Sequence, residues 1–497
     1  MTATLPPRTT SASARAGSTT TSGSPTTAGS STTSGSPTTA ELKARFAPVF
    51  ARIAEDEARR RDTAEAPHEA VRLLADSGFT ALQVPRDHGG VGATLGQLVE
   101  LLIDLAAADP NLPQALHGHF MFTEQVLRDV HPGLTDWWLA EVAAGRVFAN
   151  ALVDPPQSTG LPGVTAQADA LDPDVFVLEG VKQYSTGTLL ADWTLVTASG
   201  PAGTLQPLVV DVHAEGVEVH DDWDGIGQRA TASGTTVYRG VRVPRWRRVG
   251  LDRPASGPGY ALLWVILSAT QAGIAQSALS EFTELLQRRS RTYEHAAADT
   301  PAQDPVLQHQ LGAAAAQVRA LRSVVLGAVP ALEAAYAAVP LAAPPLRAAA
   351  AKPDDGPATE PDSAADPAAF EAAHTEAWVA AASAASVAAE LALRVSTDLF
   401  ETAGASATLA SKHLDRHWRN VRVLASHTPL PHRRRVIGDV LLNGTTAPLT
   451  ADAAEKRTVA AGTGTGAGRP AEPGHALGTA PAATPATTPA VTPGEDI

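Results

Sequence analysis

The sequence predicts an α+β fold in three consecutive parts: helices, a compact antiparallel β-domain, and helices again. Three observations predict it. Apolar residues recur at helical spacing before residue 147 and after residue 254. Short β-type runs punctuated by Gly, Pro and Asp fill the stretch between. No helical crossover separates those runs, which argues against a Rossmann sheet.

The elements follow in order. Residues 1–40 are nearly all Ser, Thr, Gly, Ala and Pro, and the nonapeptide TTSGSPTTA occurs at 20–28 and again at 32–40. Such a segment buries too little apolar surface to offset its ordering entropy, so a disordered tail is expected. An N-terminal helical domain is expected over 41–147. Leu42, Phe46, Val49, Phe50 and Ile53 share one helical face, and a second helix over 66–76 meets Gly78, a suitable C-cap. Runs at 147–152, 175–178, 193–197, 208–212 and 235–238 place the β-domain at 148–253. Helical periodicity returns over 254–450, broken at 339–366 by an Ala- and Pro-rich stretch read as a flexible insertion. Residues 451–497 resemble the first 40 in composition and are expected to form a second disordered tail.

Composition narrows the chemistry. The chain has 497 residues, 44% hydrophobic, and no cysteine. Disulfides, thiolate nucleophiles, iron–sulfur clusters and Cys-based zinc sites are therefore excluded. A net charge of −14 gives no electrostatic affinity for nucleic acid or an anionic membrane surface. No apolar run is read as reaching the length of a membrane span, and the N-terminus lacks the pattern of a secretory signal. A cytoplasmic location is expected, with neither nucleic acid nor membrane as partner.

Familiar motifs are missing: there is no Gly-x-Gly-x-x-Gly after a strand, no P-loop, no Gly-x-Ser-x-Gly and no His-Glu-x-x-His. His413 and His417 stand four apart on a probable helix, but no carboxylate motif accompanies them, and no metal is expected. His427 precedes Thr428-Pro429, where a helix should stop, so its ring could reach into a cleft or face solvent. Lys182-Gln183-Tyr184-Ser185-Thr186-Gly187 is a small-residue loop that a flat ring could approach, or an ordinary hairpin. Trp223–Gly234 is a similar polar loop before a strand.

Taken together, these segments resemble the acyl-CoA dehydrogenase superfamily. They most resemble its flavin-dependent monooxygenase branch, which includes the dibenzothiophene and sulfone monooxygenases. The resemblance spans roughly 41–450. It is carried by Leu399-Phe400-Glu401-Thr402-Ala403-Gly404-Ala405-Ser406-Ala407-Thr408, by Leu414-Asp415-Arg416-His417-Trp418-Arg419-Asn420, by the two loops, and by Asn150-Ala151-Leu152. It implies an acyl-CoA dehydrogenase-like fold with a C-terminal four-helix bundle and a homotetramer. Where the dehydrogenases carry a catalytic glutamate after their last conserved helix, this chain has Ala425-Ser426-His427-Thr428-Pro429. Glu281 leaves an alternative base for an FAD-dependent acyl-CoA dehydrogenase, and a catalytically silent scaffold is a third reading.

The monooxygenase resemblance implies reduced FMN (FMNH2) as cofactor, with FAD as alternative. A separate NAD(P)H:flavin reductase would supply it, and a flavin C4a-hydroperoxide would oxidise a small, organosulfur substrate. It implies catalytic roles for His427 as peroxide-side donor, His119 as second donor or packing residue, and Thr186 near flavin N5. It implies cofactor contacts from Ser185 and Thr186, a frame for the ring or the substrate side from Asn150 and Trp223, and from Arg419 and Asn420 either flavin contact or a hold on the last helix. Arg291 is placed at the phosphate, with Arg288 and Arg289 as alternatives.

Overall fold

The computed structural model describes residues 36–128, 132–249, 258–338 and 367–447. The expected insertion at 339–366, the expected tail at 451–497 and all but the last few residues of the tail at 1–40 lie outside the described residues.

Helix α1 (Thr39–Arg60) opens on a capping box. Glu41 N donates to Thr38 Oγ1 at 3.2 Å and Thr38 N to Glu41 Oε2 at 2.8 Å, satisfying two amides that the helix leaves unpaired. Leu42, Phe46, Phe50 and Ile53, spaced three or four apart, form its buried face. α2 (His68–Ser77) stops at Gly78, whose φ of 81° is the left-handed cap conformation expected there. α3 (Leu95–Ala108), α4 (Asn111–Ala115), α5 (His117–Leu127) and α6 (Pro132–Ala143) complete this part.

The sheet has seven strands: β1 (Phe148–Ala151), β2 (Thr165–Ala168), β3 (Val175–Lys182), β4 (Trp193–Ser199), β5 (Leu205–Asp211), β6 (Val217–Val219) and β7 (Thr236–Pro244). It is mixed, not antiparallel throughout as the sequence suggested. β1 pairs β4 in parallel, and Ser199 of β4 meets Thr165 of β2 in parallel; the remaining pairs are antiparallel. A parallel pair needs a long connection, and the 41 residues from β1 to β4 supply one by carrying two other strands. Phe176, Leu178, Val196, Leu208, Val210, Tyr238 and Val241 fill the core on one face. An aromatic cluster joins the sheet to α5 and α6: Phe122 stacks on Phe148 at 4.2 Å, and Trp138 meets Trp193 edge-on at 5.8 Å.

The C-terminal helices are α7 (Gly259–Arg288), α8 (Pro305–Gly327), α9 (Val329–Ala337), α10 (Pro367–Asp398), α11 (Phe400–Ala403), α12 (Asp415–Ser426) and α13 (Leu430–Asn443). α7 packs against α3 on one side and α10 on the other, which explains why its buried residues run almost all round from Ala261 to Ala275. Ala381, Ala385, Ala388 and Ala392 repeat at helical spacing on α10 and are fully or almost fully buried, letting the helices approach closely. One sequence-level expectation fails here. Three helical stretches, Gly259–Arg288, Pro305–Ala337 and Ala368–Ala403, are long and apolar enough to cross a membrane by length and composition. Alanine raises their hydropathy without forming an unbroken run of large apolar residues. The apolar window of the first is 83% buried inside the fold, as a core helix requires.

Candidate active site

Pairing between β3 and β7 builds one wall of the site. Lys182 at the end of β3 faces Thr236 at the start of β7, so segments 183–187 and 231–235 leave the sheet side by side. Lys182 is buried, with Nζ on Asp154 Oδ1 at 2.6 Å and Thr197 Oγ1 at 3.1 Å. Ser185 N donates to Gly234 O at 2.8 Å, locking the two segments together. A chain of buried hydroxyls follows: Thr231 Oγ1 lies 2.8 Å from Ser233 Oγ, which donates to Thr186 Oγ1 at 3.0 Å. Thr186 therefore ends the chain as an acceptor and keeps its own proton for another group. Gly187, at φ 79°, lies against Ala115 O, where a Cβ would collide with the α4 backbone.

Tyr184 and Trp223 meet edge-on at 5.1 Å, and Trp223 Nε1 donates to Gln228 O at 2.9 Å. Helix α12 grips the same loop. Gln228 N donates to Asn420 Oδ1 at 2.7 Å, and Arg419 Nη1 donates to Ile226 O at 3.1 Å while its Nε reaches Asp415 Oδ2 at 2.8 Å. Gly227 allows this: any Cβ there would overlap the carbonyl of Arg419. Of the two roles open to Arg419 and Asn420, flavin contact or support, the side-chain geometry is that of support. The Gln228 amide is buried with neither Nε2 nor Oε1 partnered among the described residues, and Gln114 Oε1 is likewise buried without a partner there. Buried polar atoms of this kind normally have partners. With the Thr186 hydroxyl and the aromatic pair, they suit a flat ligand rich in hydrogen-bonding edges, and an isoalloxazine meets that description.

The two histidines of α5 have different jobs. They are two residues apart, about 200° around the helix, so they cannot face the same way. His119 is fully buried; its Nε2 donates to Thr80 O at 2.7 Å and its Nδ1 accepts from Phe148 N at 3.2 Å. Both nitrogens are committed to backbone, and burial pushes its pKa down to about 4. It is a packing residue that pins β1 to α5 and has no donor left for a substrate, which corrects the catalytic role considered for it. His117, not singled out by the sequence reading, turns toward Asn150. Its Nε2 lies 2.9 Å from Asn150 Nδ2 and its Nδ1 2.5 Å from Gln114 O.

His427 is the C-cap of α12, where Pro429 stops the helix. More than a third of its surface is accessible, and its ring makes no hydrogen bond among the described residues. Yet protein surrounds it: burial first, then the charges of His117 and Arg433, push its pKa down to about 4. His427 is thus neutral at pH 7 and has an uncommitted N–H or lone pair.

Glu281 is a different matter. It sits on α7 clamped by both terminal nitrogens of Arg416, with Nη1 at 2.9 Å, and by His417 Nε2 at 3.1 Å. Arg61 stands 3.6 Å away. Although burial alone would raise its pKa, hydrogen bonds from His417 and Arg416 and the Arg416 charge hold it well below the usual carboxylate range. His413 meets Asp62 at 3.2 Å. His417 lies on α12, whereas His413 sits in the turn before it at φ 51° and not on the same helix; both are members of ion pairs, and no metal-binding group of His, Asp and Glu occurs among the described residues. A cleft lined by Glu57, Arg60, Arg61, Arg229, His413 and Arg416 belongs to this network and does not include His427, His117 or Thr186.

The phosphate candidates separate. Arg288 pairs with Glu284 at 2.9 Å, and Arg289 stacks 4.6 Å over Tyr293. Arg291 is exposed and forms no hydrogen bond or ion pair among the described residues.

A helical part, a mixed sheet and a helical part, with the sheet loops held against α4 and α12, define the acyl-CoA dehydrogenase class of fold. The acyl-CoA dehydrogenase N-terminal domain model matches residues 37–146, and the C-terminal domain model matches 265–377 and 358–431. The chain belongs to the acyl-CoA dehydrogenase family. Among its relatives is a probable FMNH2-dependent monooxygenase, SfnC, of Pseudomonas putida, 25% identical over 79% of this chain and 92% of that one. A dibenzothiophene monooxygenase of Mycolicibacterium goodii is 26% identical over 74% and 86%. The solved methanesulfinate monooxygenase MsuC of Pseudomonas fluorescens superposes with a TM-score of 0.70 at 23% identity, covering 82% of this chain and 98% of that one.

Proposed function

We propose that this chain is a reduced-flavin-dependent monooxygenase that transfers one oxygen atom from O2 to a small organosulfur substrate. The observation that carries this is His427: an accessible, unpartnered imidazole at the helix end where a dehydrogenase would present its carboxylate. The dehydrogenase alternative needs a free carboxylate to accept a proton, and Glu281 is held as a paired anion by Arg416 and His417. The relatives named above, acting with FMNH2 or on dibenzothiophene, support the same reading.

Reduced FMN, when bound, supplies the oxygen activation. The chain supplies position, proton placement and dryness. Thr186, at the end of its hydroxyl chain, would offer its hydroxyl to the bound cofactor, with Ser185 fixing that loop. Trp223 and Tyr184 frame the ring, and Asn150 sets the His117 tautomer at the opposite wall. His427, neutral near pH 7, would hold an N–H available as a donor to the oxygen supplied by the bound cofactor, which a carboxylate could not do. Arg291 is assigned to the cofactor phosphate, its planar fork matching two phosphate oxygens. A homotetramer with a C-terminal four-helix bundle, a cytoplasmic location and a separate NAD(P)H:flavin reductase complete the proposal.

The test is direct. Oxygen uptake should require reduced FMN and should be coupled to oxidation of a sulfide, sulfone or sulfinate. Tight FAD on purification, bleached by an acyl-CoA, would instead establish the dehydrogenase. No turnover in either assay would leave the scaffold reading.

A further inference from the structure

We propose that the cleft between α1, α12 and the turn at Arg229 binds a tetrahedral oxyanion separate from the cofactor, either free sulfate or phosphate or the phosphate of a small ester. Its occupant ties the loop that carries the hydroxyl chain to α1. The site is independent of the monooxygenase reading, since the cleft includes none of His427, His117 and Thr186. Its volume is about 60 Å³ and it is partly open to solvent. A single enclosed water needs only roughly 10–15 Å³, so there is room for one five-atom ion but not for a whole nucleotide.

Five guanidiniums line this space, those of Arg60, Arg61, Arg229, Arg416 and Arg419, against one carboxylate, Glu57. Three of the five are fixed by carboxylates that do not line the cleft. Asp56 holds Arg60 at 2.6 Å and Asp109 holds it at 2.8 Å, Glu281 holds Arg416 at 2.9 Å, and Asp415 holds Arg419 at 2.8 Å. These partners make the cationic wall rigid without filling the space. Glu57 is itself occupied, by Arg61 Nε at 2.7 Å and Arg416 Nε at 3.7 Å. Two members keep donors to spare. Arg61 Nη1 has no hydrogen-bond partner among the described residues, and Arg229, which is exposed, forms neither a hydrogen bond nor an ion pair among them. Planar arginine forks bind two oxygens of one anion, and they surround a space that lacks only the acceptor.

The cleft is also a junction. Ala230 N donates to Asn111 Oδ1 at 3.2 Å and Arg419 Nη1 to Ile226 O at 3.1 Å, so the loop is already tied to α4 and to α12. Arg61 stands on the C-cap of α1 and Arg229 on the loop. An oxyanion accepting from both closes the remaining side. A tetrahedral ion suits this, because its oxygens point four ways and can meet forks carried by different elements. Thr231, next in sequence to Ala230, begins the hydroxyl chain that ends at Thr186, so occupancy of the cleft stiffens that wall.

Calorimetric titration of the full chain with sodium sulfate, sodium phosphate, glycerol 3-phosphate and sodium chloride, at matched ionic strength, tests this. We expect saturable binding of at least one tetrahedral oxyanion, about tenfold or more tighter than chloride. Tighter binding of the ester identifies an organic phosphate as the occupant; tighter binding of sulfate or phosphate identifies the free ion. Arg229→Gln strands no partner, so it should melt like wild type in chloride and bind the preferred oxyanion about tenfold more weakly. Hydrogen exchange at residues 226–231 should slow when that oxyanion is added to wild type, and not when it is added to the variant. A stabilisation that rises without saturating and is equal in both proteins is the general effect of an excluded salt, and it overturns the proposal. Chloride bound as tightly as every oxyanion, or oxyanion binding unchanged in Arg229→Gln, overturns it too. Oxidised FMN displacing the oxyanion would make the cleft the seat of the cofactor's own phosphate, which overturns it equally.

Discussion

Glu281→Gln separates a structural carboxylate from a catalytic one. In the native chain the carboxylate accepts from Arg416 Nη1 and Nη2 and from His417 Nε2, with the Arg416 and His417 side chains only 11% and 4% exposed. Breaking a buried pair by removing one partner costs about 3–5 kcal/mol, because the other charge is left uncompensated. Arg416 retains His413 O at 3.2 Å and Glu57 at 3.7 Å, so the lower end, about 3 kcal/mol, is expected. Urea unfolding followed by tryptophan fluorescence would show this as a lower midpoint at unchanged slope. The pH dependence has a definite sign. The folded-state pKa of Glu281 is depressed, so its contribution is complete above its unfolded value of 4.5 and fades as pH falls toward the folded value. The stability gap between wild type and variant should thus be full at pH 7 and shrink below about pH 4.5. A variant as stable as wild type that has lost all turnover would identify Glu281 as a catalytic base and refute the argument.

Four further outcomes follow. His119→Ala should lose about 2–3 kcal/mol of stability, since it strands Thr80 O and Phe148 N in the interior, and circular dichroism melts would register it. His427→Ala, whose ring has no hydrogen-bond partner to strand among the described residues, should instead melt like wild type and lose about 100-fold or more in coupled oxygen transfer. Acid should begin to destabilise the protein as the pH falls below about 6.5. His119, His417 and His427 all have folded pKa values of about 4, so the unfolded chain binds more protons between pH 6.5 and 4 and stability falls across that window on acidification. Flat stability from pH 6.5 to 4.5 in denaturant titrations would contradict those placements. Asn420→Ala should free the 223–234 loop, seen as faster limited proteolysis at Arg229 with little change in melting temperature.

What the sequence revealed and what it hid have physical causes. Helix caps are local, so Gly78 and the stop at His427-Thr428-Pro429 could be read directly. Strands β1, β3, β4, β5 and β7 carry runs of branched and aromatic residues and were legible. β2, Thr-Ala-Gln-Ala, and the three-residue β6 have no such run and gain their pairing from neighbours already in place. The parallel pairing of β1 with β4 is set by chain path, which no local pattern encodes. In the site, the Lys182–Gly187 and Trp223–Gly234 loops were recognisable from their small hydroxyl residues. The choice between His117 and His119 was not. Both lie in Leu116-His117-Gly118-His119, and only the tertiary partners, Asn150 for one and the Thr80 and Phe148 backbone for the other, distinguish them. The 200° between them could have warned that one histidine must face away from the cavity.

Helix α12 explains how a cavity wall made of loops can hold a reacting geometry. Its first turns are fixed to α7 through Arg416, His417 and Glu281. One turn further on, Asn420 and Arg419 hold the backbone at Gln228 and Ile226, setting the loop that contains Thr231 and Ser233. Its last residue is followed by His427. A rigid element of 12 residues thus sets two things at once: the loop whose hydroxyl chain ends at Thr186, and the place of the imidazole at its own C-terminal end. Catalytic groups need positioning within about 0.5 Å, and sites on helices are more precise than sites on loops. Here the loop borrows that precision from the helix. The buried ion network is the foundation on which both placements depend, so weakening it should impair coupling of oxygen use to product in step with the loss of stability.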